Sequence, residues 1–354
     1  MMRYLMQSRF ITAEGTAKYP KVSIVVLNWN GLEDTLECLG SLKRIDYPNY
    51  DVIVLDNGSE GDDAKSIEER FRNFVYLVRC EKNHGFAQGN NIAVQEALIR
   101  TDPDYILLLN NDVVVDSKFL TELVNVAESD PQIGIVGPKI YMYGSSILDS
   151  AGSLYTNIGS CRSRGHLEKD KGRYTLEEVP MITACCMLFR REILDKTYLF
   201  DPFFFLYYEE FDFNIRVRRL GYRIYYTHRS VVYHKFSRST KKLTANVTLL
   251  KRFYASRGRA KILLRHYPLA IILRNLHLII LSYVYSEYRL LLHGGPILLF
   301  KLNTDLIRLV PSTLKERLVN GSTTGCGWVD WVRTYSLGDY LALKNAMEKR
   351  RVRK

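Results

Sequence analysis

"VSIVVLNWNG", residues 22–31, is an apolar run of strand length that stops on amides and a glycine. The figure returns in "DVIVLDNGS" at 51–59 and in "YILLLNNDVVVD" at 105–116. Short unbroken runs of Val, Ile and Leu suit strands buried on both faces. Helical patterns separate them. "NGLEDTLECLGSLK" sets Leu32, Leu36, Leu39 and Leu42 on one face, and Asn30 with Glu33 three residues on reads as a capping box. "DDAKSIEERF" is a polar helix, "FVYLV" a third strand, and "NHGFAQGNNIAVQEALIR" a glycine-punctuated turn leading into a helix. Strands alternating with helices predict an α/β fold: a mostly parallel, Rossmann-like sheet flanked by crossover helices.

Ligands of such sheets bind beyond the carboxyl ends of the strands. The polar residues there are Asn28 and Asn30, then Asp56 and Asn57, then Asn110, Asn111 and Asp112. Asn and Asp also make good turns, but three such clusters at three strand ends favour a ligand. No GxGxxG or GxxxxGK[ST] loop is present, which argues against nicotinamide and ATPase readings, and no GxSxG elbow marks a hydrolase. What remains is acids and amides suited to a nucleotide diphosphate and a hard divalent cation, Mn²⁺ or Mg²⁺. Asp112, ending a buried strand, is the natural metal ligand. His234, ending "SVVYH", is a candidate nitrogen ligand beside its plainer reading as a strand-end histidine.

The stretch "FFFLYYEEFDFNIRVRRLGY", residues 203–222, sets an aromatic wall against Glu209, Glu210 and Asp212 and then against Arg216, Arg218 and Arg219. Asp212 and Arg216 stand four apart and can pair along a helix. Acids first and bases last also suit the helix dipole. The segment 142–180 reads as loops or a hairpin, "MITACCMLFRREIL" as a buried strand and helix start, and "YRIYY" as a further strand.

The net charge of +12 is uneven: residues 241–354 carry +15 and residues 1–240 carry −3. A basic tail without a nucleic-acid motif points to anionic lipid. "LTANVTLLKRFYASRGRAKILLRHY" reads as a basic helix. The apolar stretch 268–300 is interrupted by Arg274, His277, Glu287 and Arg289. A spanning helix needs about 20 predominantly apolar residues, so helices lying in the bilayer surface are predicted, with a spanning pair or a helical cap as alternatives. Residues 1–20 hold no apolar run long enough for a signal peptide, so export is not expected. The six cysteines form no CxxC pair or metal-ligand spacing and read as free thiols in a reducing cytosol.

"VSIVVLNWNG", "VLDNGSEGD", "NHGFAQGNN", "LLLNND", "ACCMLFRREIL" and "FLYYEEFDFNIRVRRLGYRIYY…VVYH" stand in one order over residues 20–236. Together they resemble a family 2 glycosyltransferase of the rhamnosyltransferase-like branch, with a GT-A fold. The resemblance implies an extension at 1–20, a glycosyltransferase domain at 21–240 (nucleotide-sugar half 21–115, acceptor half 116–240) and a basic amphipathic, membrane-associating region at 241–354. It puts Asp56 and Asn57 against the base and ribose, and Ser59, Asn83, Gly85, Phe86, Gly89 and Asn90 around the donor pocket. "NND" takes the place of an Asp-x-Asp metal motif, so that a cation rests mainly on Asp112. Glu210 stands at the position of the catalytic base, with Glu209 as the other candidate.

The function implied is inverting transfer from a dTDP- or UDP-sugar, rhamnose being one option. The acceptor would be a lipid-linked glycan or surface polysaccharide at the cytoplasmic face of the cell membrane. A nucleotidyltransferase and a non-catalytic glycan-binding module are the alternatives. No nucleic-acid partner is expected, and the oligomeric state, a homo-oligomer included, stays open.

Overall fold

The structure, a computed structural model, describes residues 19–235, 245–319 and 327–333. The signal-peptide question and most of the N-terminal extension lie outside the described residues, as do parts of the basic tail. The chain divides into two compact units, one formed by 1–153 and 163–247, the other by 154–162 and 248–354.

The first unit opens as the sequence predicts, with strands β1 (Val22–Asn28), β2 (Tyr50–Asp56) and β3 (Val75–Arg79) and helices α1 (Leu32–Leu42), α2 (Asp63–Phe71) and α3 (Gly85–Thr101). Strand β4 (Tyr105–Asn110) follows. The apolar run "YILLLNNDVVVD" is two strands rather than one. Asn111 and Asp112 form a turn, and β5 (Val113–Val115) leaves β4 to pair antiparallel with a later strand. Helix α4 (Phe119–Glu128) leads to β6 (Ile133–Met142), and short strands β7 (Leu148–Ser150), β8 (Ser153–Thr156), β9 (Cys161–Ser163) and β10 (Glu177–Glu178) fill the predicted loop region, β8 and β9 lying largely in the second unit. Strand β11 (Cys186–Arg190), helix α5 (Glu209–Arg219) and β12 (Arg223–His234) complete the unit. "YRIYY" and "SVVYH" are one strand, with its register shifted between Thr227 and Val231.

The main sheet runs β10-β12-β6-β11-β4-β1-β2-β3. Strands β4, β1, β2 and β3 are parallel, and β11 is inserted antiparallel between β4 and β6. The direction of strand succession reverses between β1 and β4, the switch point where such sheets open a crevice. In register, Asn28 pairs with Asp56 and Leu27 with Asn110, so the predicted polar clusters share one edge. Val22, Ile24 and Val26, with Val52 and Val54 and with Leu107 and Leu109, pack against Cys38, Leu39 and Leu42 of α1 in the main core.

The capping box does not form. Asn30 has φ +50° and precedes the helix by two residues, and its Oδ1 instead accepts from the Glu60 amide at 2.9 Å. The neighbouring loop competes for that side chain more favourably than the helix end.

The second unit holds helices α6 (Ala245–His266), α7 (Leu269–Arg274) and α8 (Leu276–Val319), a 3₁₀ turn at Gly327–Trp331, and β13 (Val332–Arg333) paired parallel to β8. Trp328 packs on Tyr155 and Tyr267. Among the described residues no helix is long and apolar enough to cross a membrane.

Candidate active site

The switch-point edge is built around Asn28. It is fully buried, and its Nδ2 donates to Asp56 Oδ1 (2.8 Å), Ser59 Oγ (3.1 Å) and Asp63 Oδ2 (3.1 Å). Thr35 Oγ1 donates to its Oδ1 at 2.7 Å. Every polar atom of the Asn28 side chain is thus satisfied by protein, and Asn28 frames the edge. Ser59 Oγ donates to Asp56 and accepts the Asn30 amide at 2.9 Å, closing the loop after β2.

Asn57 carries the frame to the next loop. Its Oδ1 accepts the His84 amide (3.0 Å), and its Nδ2 donates to Asn83 Oδ1 and the Gly85 carbonyl (both 3.1 Å). Gly85 has φ +79°, and a Cβ there would lie 2.5 Å from the Phe205 carbonyl oxygen. A Cβ on Gly89 would lie 2.9 Å from Leu27 and 3.1 Å from the Asn57 amide. These glycines let α3 and its entry turn touch the sheet edge and the aromatic segment. Asn90 donates to the Phe86 carbonyl one turn back (2.8 Å), which stiffens that entry turn.

The aromatic stretch docks here. The Phe86 amide donates to the Phe205 carbonyl at 2.7 Å, and the Phe86 and Phe200 rings stand 6.2 Å apart. Tyr207 and Tyr208 follow with φ +70° and +76°. Two bulky residues in succession in the left-handed region mark stored strain. The strain throws the chain directly into α5, whose first residues are Glu209 and Glu210. The Oε2 atoms of both glutamates are buried without a hydrogen-bond partner. Burial pushes both carboxyls up, Glu209 well above the usual range with the Glu210 charge adding to it. Burial, and the charges of Glu209 and Glu210, push the Tyr207 phenol up to about 12. A buried carboxylate oxygen without a partner is costly, and Glu209 and Glu210 each hold one.

Behind them Asp212 and Arg216 form the expected pair, with Nε donating to Oδ2 at 2.7 Å. Arg216 also donates to Thr197 Oγ1 (2.6 Å) and to the Tyr198 and Leu199 carbonyls. Asn214 accepts from the Ile182 amide and donates to its carbonyl, both at 3.0 Å, tying α5 to the segment before β11.

The remaining cluster gathers on the turn after β4. Asn110 donates its amide to the Cys185 carbonyl (2.9 Å), and Asn111 Nδ2 donates to Thr35 Oγ1 (2.9 Å). Asp112 is buried, with Oδ1 3.3 Å from His234 Nε2. His234 Nδ1 stands 2.7 Å from Asp149 Oδ2, and His166 Nδ1 lies 3.2 Å from Asp149 Oδ1. Burial alone would lower the His234 pKa, but Cys185, Asp112 and Asp149 together hold it well above the ordinary value. Burial works to raise the Asp149 pKa, and the hydrogen bonds from His166 and His234 overcome it, bringing the carboxyl down to about 2. Lys235 Nζ bridges Asp34 Oδ1 and Glu37 Oε2, both at 2.6 Å, pinning the end of β12 to α1.

Among the described residues no group of three or more His, Cys, Asp and Glu side chains is arranged to hold a metal ion. Asp112 and His234 nonetheless fit a cation that takes its other ligands from a diphosphate. Their Oδ1 and Nε2 converge, and Asp149 occupies the opposite ring nitrogen, the usual support of a metal-binding imidazole. Asp149, Cys185, Tyr207 and Lys235 were not read as site residues from the sequence. Asp149 sits in "ILDSAGS", which carries no strand-end pattern, so nothing in the sequence singled it out.

Residues 23–198 match the family model described as Glycosyl transferase family 2. A low-salt glycan biosynthesis hexosyltransferase, Agl10 of Haloferax volcanii, is 23% identical over 56% of this chain and 62% of its own. An N-acetylglucosaminyl-diphospho-decaprenol L-rhamnosyltransferase of Mycobacterium tuberculosis is 24% identical over 57% and 72%. The chain spans less than two thirds of the length of the first curated relatives it matches. The crystal structure of GalNAc-T7 with UDP, GalNAc and Mn²⁺ superposes with a TM-score of 0.57 at 14% identity, over 72% of this chain and 49% of that one. That likeness is one of fold, and it agrees with the GT-A architecture read from the sequence. Through residues 23–198 the chain belongs to glycosyl transferase family 2.

Proposed function

We propose that the chain transfers a glycosyl group, with inversion, from a nucleotide-diphosphate sugar to a hydroxyl of a lipid-linked glycan or cell-surface polysaccharide. The observation that carries this is the Glu209–Glu210 pair. Two adjacent carboxylates, each with one buried oxygen that no hydrogen bond reaches, are held by a strained turn against the same loop, Asn83–Phe86, that the β2 edge supports. A general base needs a carboxylate whose pKa is raised by removal from water, as burial raises that of Glu210.

Asp56, Asn57 and Ser59 frame the surface for base and ribose, and Asn30, the Asn83–Phe86 loop and Asn110–Asn111 flank the diphosphate. Asp112 and His234 would hold a Mn²⁺ or Mg²⁺ ion, which when bound offsets charge developing on the leaving diphosphate. Glu210 accepts the acceptor hydroxyl proton as that oxygen bonds to the anomeric carbon from the face opposite the diphosphate. The bond from the anomeric carbon to the diphosphate oxygen breaks as the new one forms, so no protein nucleophile is used. Burial among the aromatics keeps water from competing and raises the basicity of the carboxylate. The donor is taken to be a dTDP- or UDP-sugar, and the site of action the cytoplasmic face of the cell membrane. The Mycobacterium tuberculosis relative, an N-acetylglucosaminyl-diphospho-decaprenol L-rhamnosyltransferase, supports a lipid-linked acceptor.

The test is a thermal-shift screen of the full chain against dTDP-, UDP- and GDP-sugars with and without Mn²⁺, followed by donor turnover in wild type and Glu210→Gln. The proposal expects one nucleotide class to stabilise the protein and the variant to lose turnover at least about a hundredfold. Equal turnover in the variant would remove Glu210 from the role.

A further inference from the structure

The second unit is built with polarity turned inward. Ser256 on α6 meets Ser286 on α8 at 2.7 Å, and Arg257, the next residue, meets Asp305 at 3.2 Å. Arg317 donates to the Leu264 carbonyl at 3.1 Å. Straight helix from 286 to 317 would be about 46 Å long, whereas 256 and 264 lie only about 12 Å apart along α6. Helix α8 therefore folds back on itself, and Pro296 lies where the bend must be. Its two limbs enclose α6.

Between the limbs lie Ser256, Lys261, Arg265, Ser282 and Thr313, all buried, beside a small apolar cluster of Leu249, Phe253, Leu290 and Leu302. Both acids of the far limb turn inward, Asp305 to Arg257 and Glu316 to Lys261 and Arg265. The outside is the reverse. On the first limb Leu276, Ile280, Val284, Tyr288 and Leu291 recur every three or four residues and are 42–56% exposed. On the second limb Ile297, Phe300 and Ile307 are 72–83% exposed. Large apolar side chains in such numbers on one element exceed what a soluble surface ordinarily shows. The exposed charges of α8 are cations, Lys301, Arg308 and Lys315.

We propose that the folded-back α8 helix is a membrane-inserted hairpin whose apolar outer faces enter the hydrocarbon of an anionic bilayer without crossing it. Polar groups paired inside and apolar groups outside is the arrangement that a lipid solvent demands. The exposed cations suit anionic headgroups at its margin. This goes beyond helices resting on a bilayer surface and is independent of the sugar chemistry.

The experiment is flotation of the full chain with vesicles of phosphatidylcholine and phosphatidylglycerol, without substrate. Binding is expected to survive 1 M NaCl, where the Debye length is about 3 Å, and to fall at least tenfold in Ile280→Asp/Val284→Asp. Release by salt, or a charged variant that floats like wild type, overturns the proposal. A vesicle-free dimer that these substitutions convert to monomer would assign the face to a second copy and also overturn it. Should the double variant misfold, Tyr288→Trp in the full chain with acyl-brominated lipid decides: quenching beyond that of wild type is expected, and none overturns insertion.

Discussion

Asp149 Oδ2 lies 2.7 Å from His234 Nδ1, while Nε2 of the same ring faces Asp112 Oδ1 at 3.3 Å. With its carboxyl held near 2, Asp149 is ionised and can only accept. Nδ1 therefore donates to it, which fixes the ring plane with Nε2 aimed at Asp112. Asp149→Asn loses the charge and leaves an amide free to turn either end to the ring. Loss of such a support typically weakens metal binding by about 10–100-fold. Free Mn²⁺ measured by electron paramagnetic resonance, in the presence of a nucleoside diphosphate, should show that loss. Nucleotide affinity without metal should be unchanged, and His234→Ala should exceed the effect.

The acid limb of kcat/KM should lie above the ordinary carboxylate range of about 4, because burial raises Glu210. A general base works only when deprotonated, so activity rises with pH through that raised value. Glu209 is held higher still, so it stays protonated while Glu210 titrates, and Glu209→Gln should leave the limb nearly where it is, with transfer retained. Stability runs the other way. A folded-state pKa above the unfolded one means the folded form holds its proton longer, so stability falls as pH rises from the ordinary range through the raised value. Glu209→Gln should flatten that fall, seen as a smaller Tm difference between pH 5 and pH 8.

Gly85→Ala tests the joint between the Asn83–Phe86 loop and the aromatic stretch. Its φ of +79° strains any Cβ-bearing residue, and that Cβ would sit 2.5 Å from a backbone oxygen that cannot swing away. The left-handed conformation alone costs about 1–2 kcal/mol, and displacement of Phe205 adds to it. Urea denaturation should show a loss of about 2–3 kcal/mol. Donor affinity should fall with it, since the Phe86–Phe205 hydrogen bond fixes the turn.

What was legible in the sequence was what local pattern encodes. The apolar runs of β1, β2 and β4 and the leucine face of α1 announce a parallel sheet, and its strand ends announce Asn28, Asp56 and Asp112. The antiparallel insertion of β11 and the departure of β5 depend on pairings between residues about 80 to 120 apart in the chain, which periodicity does not record. Asn30 misled because a capping signal is local, while the loop at Ser59–Glu60 that captured it is not. Asp149 and Tyr207 were missed for a similar reason. One gains its meaning from a histidine 85 positions away, and the other from a backbone angle rather than from its side chain.

Asp212→Asn should destabilise the fold more than Gly85→Ala does. The Asp212 side chain is wholly buried and that of Arg216 is 9% exposed, so the neutral amide leaves a guanidinium inside the protein without its counter-charge. Breaking a buried pair from one side costs about 3–5 kcal/mol. Arg216 also holds the carbonyls of Tyr198 and Leu199, and the next residue, Phe200, packs on Phe86 and exchanges hydrogen bonds with Asn91 of α3. Loosening the pair should therefore reach the Asn83–Phe86 loop as well as α5. Asp212→Leu/Arg216→Met, which removes both charges, should recover most of the stability, since apolar replacements of buried pairs are often neutral. It should not recover the ordering of Tyr198–Phe200. A denaturation cycle over the two singles and the double separates the terms. A coupling energy near zero would mean that Arg216 is held by the carbonyls alone.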